Sequence, residues 1–397
     1  MPKTIAITPS WYWPAAIPRV LGVPPFSLGE ALVQRWARHR PDDVALADSS
    51  GRLTGRQFVE QVMTAAAALR VRSAANPGPA RFCAGASVEG AVLLLAALEA
   101  GIAIRLVAPS PQTNGGEGGW WLADSIGAAA LGPATGVTRL ADLGSAGDPA
   151  QPAPPMPLDA RILGLPTGGD LVWHSHRSMV GGAHSMRAFL GASAARPWLS
   201  TLPLSTWEGV YGITVPLAAG AGVVLAPGGD EALDAIARES VAVSSWMLDD
   251  AFNATRDAKR QVKAVRDVQE HLVLWTPRSF DPGDRSRVGK LFGCPALTVF
   301  GLPETGPIFA SHPSWYIDES IGIAISNAFV VPVDPRSGQP IPTLWELVES
   351  AMVTVSCPGL CEGYEGDVHP ERWRDGRFVT GLIASSDANG MVYLLPD

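Results

Sequence analysis

Short apolar runs alternate with capped helical patterns over most of this chain, and that alternation leaves few folds open to it. Ser27-Leu28-Gly29-Glu30 has capping-box spacing, and Leu28, Leu32 and Trp36 recur at four-residue intervals. A helix is predicted to start there and to end before Pro41. Val44–Ala47 reads as a short strand, Gly51 turns into Leu53-Thr54, and Thr54 and Gln57 form a second capping box ahead of Phe58, Val62, Ala66 and Leu69. Phe82–Ala86 followed by Ser87 reads as strand into helix, and Ile102–Val107 as a strand after Gly101. Farther on, Arg161–Leu165 reads as a strand, Ser178–Leu190 as a helix, and Val215–Val224 and Ala242–Ser245 as apolar segments between Gly and Pro punctuation. Strand–helix–strand alternation predicts an α/β fold, a mostly parallel sheet covered by helices.

Four units follow from the pattern: an N-terminal arm (1–26), an α/β subdomain (27–157), a second α/β subdomain (158–320) and a smaller β-rich one (321–397). The Gly-, Pro- and Ala-rich stretch Ala141–Pro157 is the expected linker between the first two. With 47% hydrophobic and 17% charged residues in 397, there is apolar surface enough for several packed cores. The formal charge of −8 offers no basic face to a nucleic-acid backbone, so small-molecule chemistry is expected instead. Cys83, Cys294, Cys357 and Cys361 are too dispersed for a disulfide framework, and the last two lack the further ligands a metal site needs. No metal is expected to be held by protein ligands alone. Residues 1–26 contain no continuous apolar stretch of the signal-peptide kind, and Ala91–Ala103 carries Glu99 and is too short to span a bilayer. The expectation is a cytoplasmic protein with no membrane partner.

The chemistry concentrates in Val299-Phe300-Gly301-Leu302-Pro303-Glu304-Thr305-Gly306-Pro307. An apolar run, Ala296–Phe300, breaks at Gly301 and delivers an acid, a hydroxyl and a glycine to the following loop. The segment resembles the aromatic-Gly-x-Thr-Glu-Thr-Gly motif of the adenylate-forming superfamily, which includes acyl-CoA synthetases, aryl acid ligases and peptide-synthetase adenylation domains. The resemblance continues in Pro41-Asp42-Asp43-Val44-Ala45-Leu46, in Leu202-Pro203-Leu204 with Gly209 and Pro216–Gly220, in Ser356-Cys357-Pro358-Gly359-Leu360 with Gly363-Tyr364, and in Asp375–Gly381. Matches of this kind are weak singly, and in this order they are together specific. They imply an acyl-CoA synthetase N-terminal-domain-like architecture, two layered α/β subdomains with a smaller β-rich third. They also imply that Glu304 and Thr305 are catalytic, Glu304 helping to hold Mg²⁺ and Thr305 contacting phosphate, with Phe300 and Gly301 beside adenine.

Several positions depart from the family pattern. The phosphate loop, elsewhere rich in Ser and Thr and closed by Pro-Lys, is here Thr167-Gly168-Gly169, followed by the acid Asp170. A carboxylate repels phosphates, so a plain Gly-Gly turn between strands is expected rather than a working cradle. Leu382 replaces the carboxylate that the family uses on the ribose hydroxyls. Resemblance further implies a catalytic lysine in a C-terminal domain that would begin about where this sequence reaches Asp397. In the pocket region, Ser205-Thr206 stands in place of an aromatic-His pair and is followed by Trp207, Glu208 and Tyr211; the adenine loop reads Thr276-Pro277-Arg278. Arg278 there could clamp an anion bidentately.

Other constellations carry less. His174-Ser175-His176 has the spacing of a metal pair on a strand, but it leads into a helix and reads as structural or capping. Ser175 or Ser178 with His184 lacks the glycine frame of a nucleophile elbow. Trp207, Trp246 and Trp275 could line an apolar acyl or aryl site. Three functional readings follow. One is an enzyme acting on a small carboxylic acid or its acyl thioester, with a carrier protein or a C-terminal-domain partner completing it. Another is a non-catalytic pseudo-ligase that binds a small acid, a carrier protein or a true ligase. The third is a conventional ligase using ATP and Mg²⁺ unaided.

Overall fold

The computed structural model describes residues 13–395 except 15, 109–119, 133–135, 145, 152–155, 192–194, 258, 267, 277–282, 312–316, 318, 342–347 and 388–389. Two large sheets and one small one organise the described residues. The nine-stranded sheet runs in the order 323–324, 306–310, 296–302, 271–275, 243–247, 198–200, 223–225, 44–47 and 52–54. Its six central strands are parallel, and its antiparallel pairs lie at the two edges. The six-stranded sheet runs 137–138, 121–123, 80–83, 104–106, 163–167 and 170–174, parallel except for its last pair. A third, antiparallel sheet is built from Phe329–Val333, Val348–Ser356, Trp373–Arg374, Arg377–Ser386 and Val392–Leu394.

Local chemistry explains the helices. The Ser27 N–H donates to Glu30 Oε2 at 2.9 Å and the Glu30 N–H to Ser27 Oγ at 3.1 Å. After this capping box the first turns, Gly29–Gln34, are π-helical before the α-helix Arg35–His39. The box at Thr54 and Gln57 opens Gly55–Ser73, which buries Phe58, Val62, Ala66 and Leu69. Ser87 caps Val88–Glu99, whose apolar residues are buried nearly all round between layers. The apolar segment Val215–Val224 resolves into the end of helix Trp207–Ala219 and the strand Val223–Leu225. Gly220 makes the break in the left-handed region at φ 78°.

Strand pairing does not follow the division expected at residue 157. Val44–Ala47 lies parallel to Val223–Leu225 in the nine-stranded sheet, and Leu163–Thr167 joins Ile104–Leu106 in the six-stranded one. Each large sheet takes strands from both sides of that boundary. One apolar core unites the layers, from Leu28 to Val392. The N-terminal arm is held to the far end of the chain: Asn327 donates its N–H to the Arg19 carbonyl, and Ser326 its hydroxyl to that of Pro18. All four cysteines are free thiols. Among the described residues, no helix is long and apolar enough to cross a membrane.

Candidate active site

The strand Ala296–Leu302 carries the chemistry-bearing motif to its C-terminal end and turns back into Gly306–Ala310. Gly301 is required by close approach, because a β-carbon there would collide with the Gly306 carbonyl oxygen. Gly306 turns the chain at φ 61°. Thr305 is fully buried; its hydroxyl accepts the Leu302 N–H at 3.2 Å and donates to the Gly306 carbonyl at 2.8 Å. That hydroxyl is spent within its own turn. Glu304, only 4% exposed, accepts on Oε1 from the Tyr364 phenol at 2.8 Å and the Thr167 hydroxyl at 3.3 Å. Among the described residues no cation bonds it and Oε2 accepts nothing.

The Gly-Gly turn faces this carboxylate. Leu163–Thr167 and Asp170–His174 pair with Thr167 opposite Asp170, leaving Gly168 (φ 53°) and Gly169 (φ 114°) as a two-residue hairpin loop. Positive φ at both positions is the geometry that glycine adopts without steric cost. Asp170 Oδ2 lies 3.1 Å from His369 Nε2, and Glu371 Oε1 lies 3.0 Å from His369 Nδ1. A carboxylate at each ring nitrogen favours the imidazolium, so the Glu371 and Asp170 bonds raise the His369 pKa above its usual value. The acid beside the turn is thereby paired.

His174 is fully buried behind the motif loop. Its Nε2 bonds the Pro303 carbonyl at 2.6 Å and its Nδ1 the Ser178 hydroxyl at 3.1 Å. Since a carbonyl only accepts, Nε2 carries the proton and Ser178 donates to Nδ1. Burial drives the pKa of this imidazole down to about 4. His176 points elsewhere, with Nδ1 accepting the Leu28 N–H at 3.2 Å, so the two histidines form no metal pair. Ser175 caps helix His176–Phe189 and donates to Glu362 at 2.6 Å, and neither serine bonds His184.

The substrate-pocket candidates divide. Thr206 caps helix Trp207–Ala219, accepting the Gly209 N–H at 3.1 Å and donating to the Pro203 carbonyl at 2.8 Å. Trp207 meets Trp275 edge-on at 5.5 Å and Tyr211 at 6.0 Å, forming an aromatic group. The Tyr211 hydroxyl lies against Gly182, Gly306 and Gly359, which joins that group to the Thr305–Gly306 backbone. Thr276 is buried at the end of the strand His271–Trp275. Phe300, expected beside adenine, is 1% exposed, with its ring 6.4 Å from that of Phe309. Trp246 packs on Phe292 in the core and donates to Ser244, away from this group. Arg278 lies outside the described residues. Leu382 packs on the core edge and gives its N–H to Thr380 Oγ1 at 3.1 Å.

In the sequence Tyr364 stands only as part of a Gly-Tyr element, with nothing to give it a role. The structure brings it to Glu304 because Gly363 and Glu362 pair with Trp173 on the hairpin edge, the Trp173 N–H donating to Gly363 O at 2.9 Å and the Glu362 N–H to Trp173 O at 2.7 Å.

Known proteins resemble this chain in part of its sequence and in its fold. The AMP-binding enzyme family model matches residues 171–364, a stretch whose two ends meet in the Val172–Tyr364 bridge. A medium/long-chain fatty-acid–CoA ligase, FadD17 of Mycobacterium tuberculosis, is 32% identical over 115 residues, 28% of this chain and 22% of that protein. The match thus spans about a fifth of the length of this curated relative. Among solved structures, a long-chain-fatty-acid–CoA ligase (FadD1) from Archaeoglobus fulgidus superposes with a TM-score of 0.82 at 14% identity, covering 96% of this chain and 86% of that one. The N-terminal domain of FACL13 from Mycobacterium tuberculosis gives 0.80 at 16% identity, covering 93% and 99%. O-succinylbenzoate coenzyme A synthetase from Bacillus subtilis, in complex with AMP, gives 0.77 at 18%, covering 92% and 78%. The fold is that of these ligases, and residues 171–364 carry the match to the AMP-binding enzyme family.

Proposed function

We propose that this protein works on an acyl or aryl carboxylate, or its thioester, beside Glu304 and the Trp207–Tyr211–Trp275 group, with a weakened hold on ATP. One observation carries the reading. The hydroxyl of the Gly-Gly turn, Thr167, is directed to Glu304, and the acid of that turn, Asp170, is directed to His369. The turn therefore offers a triphosphate neither a free hydroxyl nor a cation of its own. Leu382 supplies no acceptor for a ribose hydroxyl, and charge-assisted bonds of that kind contribute about 1.5–3 kcal/mol each.

Mg²⁺ fits Glu304 in one respect, since a buried carboxylate with an unbonded Oε2 welcomes a cation. Among the described residues no group of three or more His, Cys, Asp or Glu gathers to hold a metal. Such an ion would arrive on the phosphates of its substrate, as Mg²⁺ commonly does.

The alternative, a non-catalytic binder of a small acid or of a partner such as a carrier protein or a true ligase, is supported by the Thr305 hydroxyl being consumed inside its turn. ATP–pyrophosphate exchange across a panel of carboxylic acids, with thermal shifts against ATP, AMP and acyl-CoA, separates the readings. Stabilisation by acyl-CoA with little from nucleotide supports thioester chemistry. Robust exchange by the protein alone overturns the weakened-nucleotide reading, and silence with every ligand favours the binder. A ligand at 100 times its dissociation constant adds about 2.7 kcal/mol, well within detection.

A further inference from the structure

Among the described residues Glu304 is buried, meets no cation, and has both of its side-chain bonds on one oxygen. A carboxylate in that setting is oriented by whichever donor is itself immobile. Thr167 belongs to the two-glycine hairpin and bonds at the longer distance, 3.3 Å. Tyr364 bonds at 2.8 Å, is 3% exposed, and is fixed twice over. Its backbone is stitched to the hairpin edge through Gly363 and Glu362 on Trp173 and through the bridge to Val172. Its ring meets the His369 ring edge-on at 5.0 Å and 70°.

His369 is fixed in turn. It adopts the left-handed region at φ 62°, uncommon for a non-glycine residue, and stands between Asp170 of the hairpin and Glu371 of its own turn. The other charges on the segment are directed elsewhere: Glu365 to Arg105, Asp367 to Arg161, and Arg372 to the Thr380 carbonyl. Burial, and next the bond to Glu304, raise the Tyr364 phenol well above its ordinary pKa, so it stays a donor.

We propose that Tyr364 is a positioning residue for Glu304. Its phenol occupies Oε1 and leaves Oε2 presented to the substrate or to the metal ion that the substrate carries, while the Asp170–His369–Glu371 clasp seats the phenol ring. This rests on Glu304 being the reacting carboxylate of the proposed function. Tyr364→Phe keeps the ring and removes the donor.

The test reads Glu304 directly. Its carboxyl ¹³C resonance, assigned by difference from Glu304→Gln, is compared at one fixed pH in wild type and in Tyr364→Phe. Loss of the phenol's bond to Oε1 displaces that resonance in the variant, whose ring is kept. Turnover of the best acid or thioester should fall about tenfold or more in kcat with KM changed less than threefold, as for a lost bond to a charged group. His369→Gln, a half-exposed change that removes the ring packed on Tyr364 but leaves the Tyr364–Glu304 bond its own atoms, should move both readouts the same way by less. It also serves if Tyr364→Phe does not fold. An unchanged Glu304 resonance in a folded Tyr364→Phe protein overturns the proposal, and so does a loss confined to KM. A displaced resonance in a protein whose wild type turns nothing over supports the positioning role and sinks the catalytic reading instead.

Discussion

The hydroxyl of Tyr211 occupies the space that a β-carbon on Gly182 would need, and it bonds nothing among the described residues. Tyr211 is fully buried, with Gly306 and Gly359 closing the other sides of the same hydroxyl. An unpartnered buried hydroxyl has lost its water without compensation. Tyr211→Phe is therefore expected to stabilise the fold, by about 0.5–1.5 kcal/mol in urea denaturation. Gly182→Ala should cost about 2 kcal/mol or more in the wild type and much less beside Tyr211→Phe, a coupling that a double-mutant cycle isolates. If Tyr211→Phe destabilises instead, the hydroxyl has a partner. If it stabilises while lowering turnover, the hydroxyl is kept for substrate.

Acid should weaken the fold through two histidines. Burial lowers His174 and His176 to about 4 from an ordinary 6.5. Between those values the unfolded chain binds protons that the folded one refuses, so stability falls as pH drops from about 6.5 towards 4 and is regained above 6.5. Each contributes a loss of about 2–3 kcal/mol by pH 4. Urea unfolding at pH 7, 5.5 and 4.5 reads the slope. His176→Gln, whose carbonyl can still accept the Leu28 N–H, should remove about half of it.

Gly301→Ala tests the close approach at the motif. A methyl group there meets the Gly306 carbonyl oxygen, a backbone atom that cannot swing aside. The expected cost is about 2–4 kcal/mol, read from the denaturation midpoint. A cost below about 1 kcal/mol would mean that the hairpin Ala296–Ala310 yields more readily than its packing implies.

Leu382→Asp tests the proposed loss of a ribose acceptor at this position. AMP affinity by calorimetry should rise about tenfold or more, at a cost of about 1–2 kcal/mol for a carboxylate at the core edge. No gain in affinity would assign the proposed weakness toward nucleotide to the Gly-Gly turn alone.

What could be read in advance was whatever is decided within a few residues. The Ser27–Glu30 and Thr54–Gln57 boxes close over three-residue spans, so their bonds are specified by the chain itself, and the helices begin where they do for that reason. Gly168 and Gly169 likewise announce a hairpin turn, because few other residues take positive φ cheaply. Phe300 was not legible in this way. Its place beside adenine was implied by motif resemblance, whereas its ring packs on Phe309, a partner chosen by the antiparallel register of the returning strand. The two sheets also trade strands across residue 157, since parallel pairing joins segments as distant as Val44–Ala47 and Val223–Leu225.

Glu304 could be picked out as the acid of its loop from the sequence alone. That Tyr364 and Thr167 bond it, with the Asp170–His369 pair behind the Tyr364 ring, was decided only when the hairpin edge captured Glu362 and Gly363. Those contacts cross from about 130 to 200 positions of chain, or 60 for Tyr364. No local propensity encodes them; the buried packing of three sheets does.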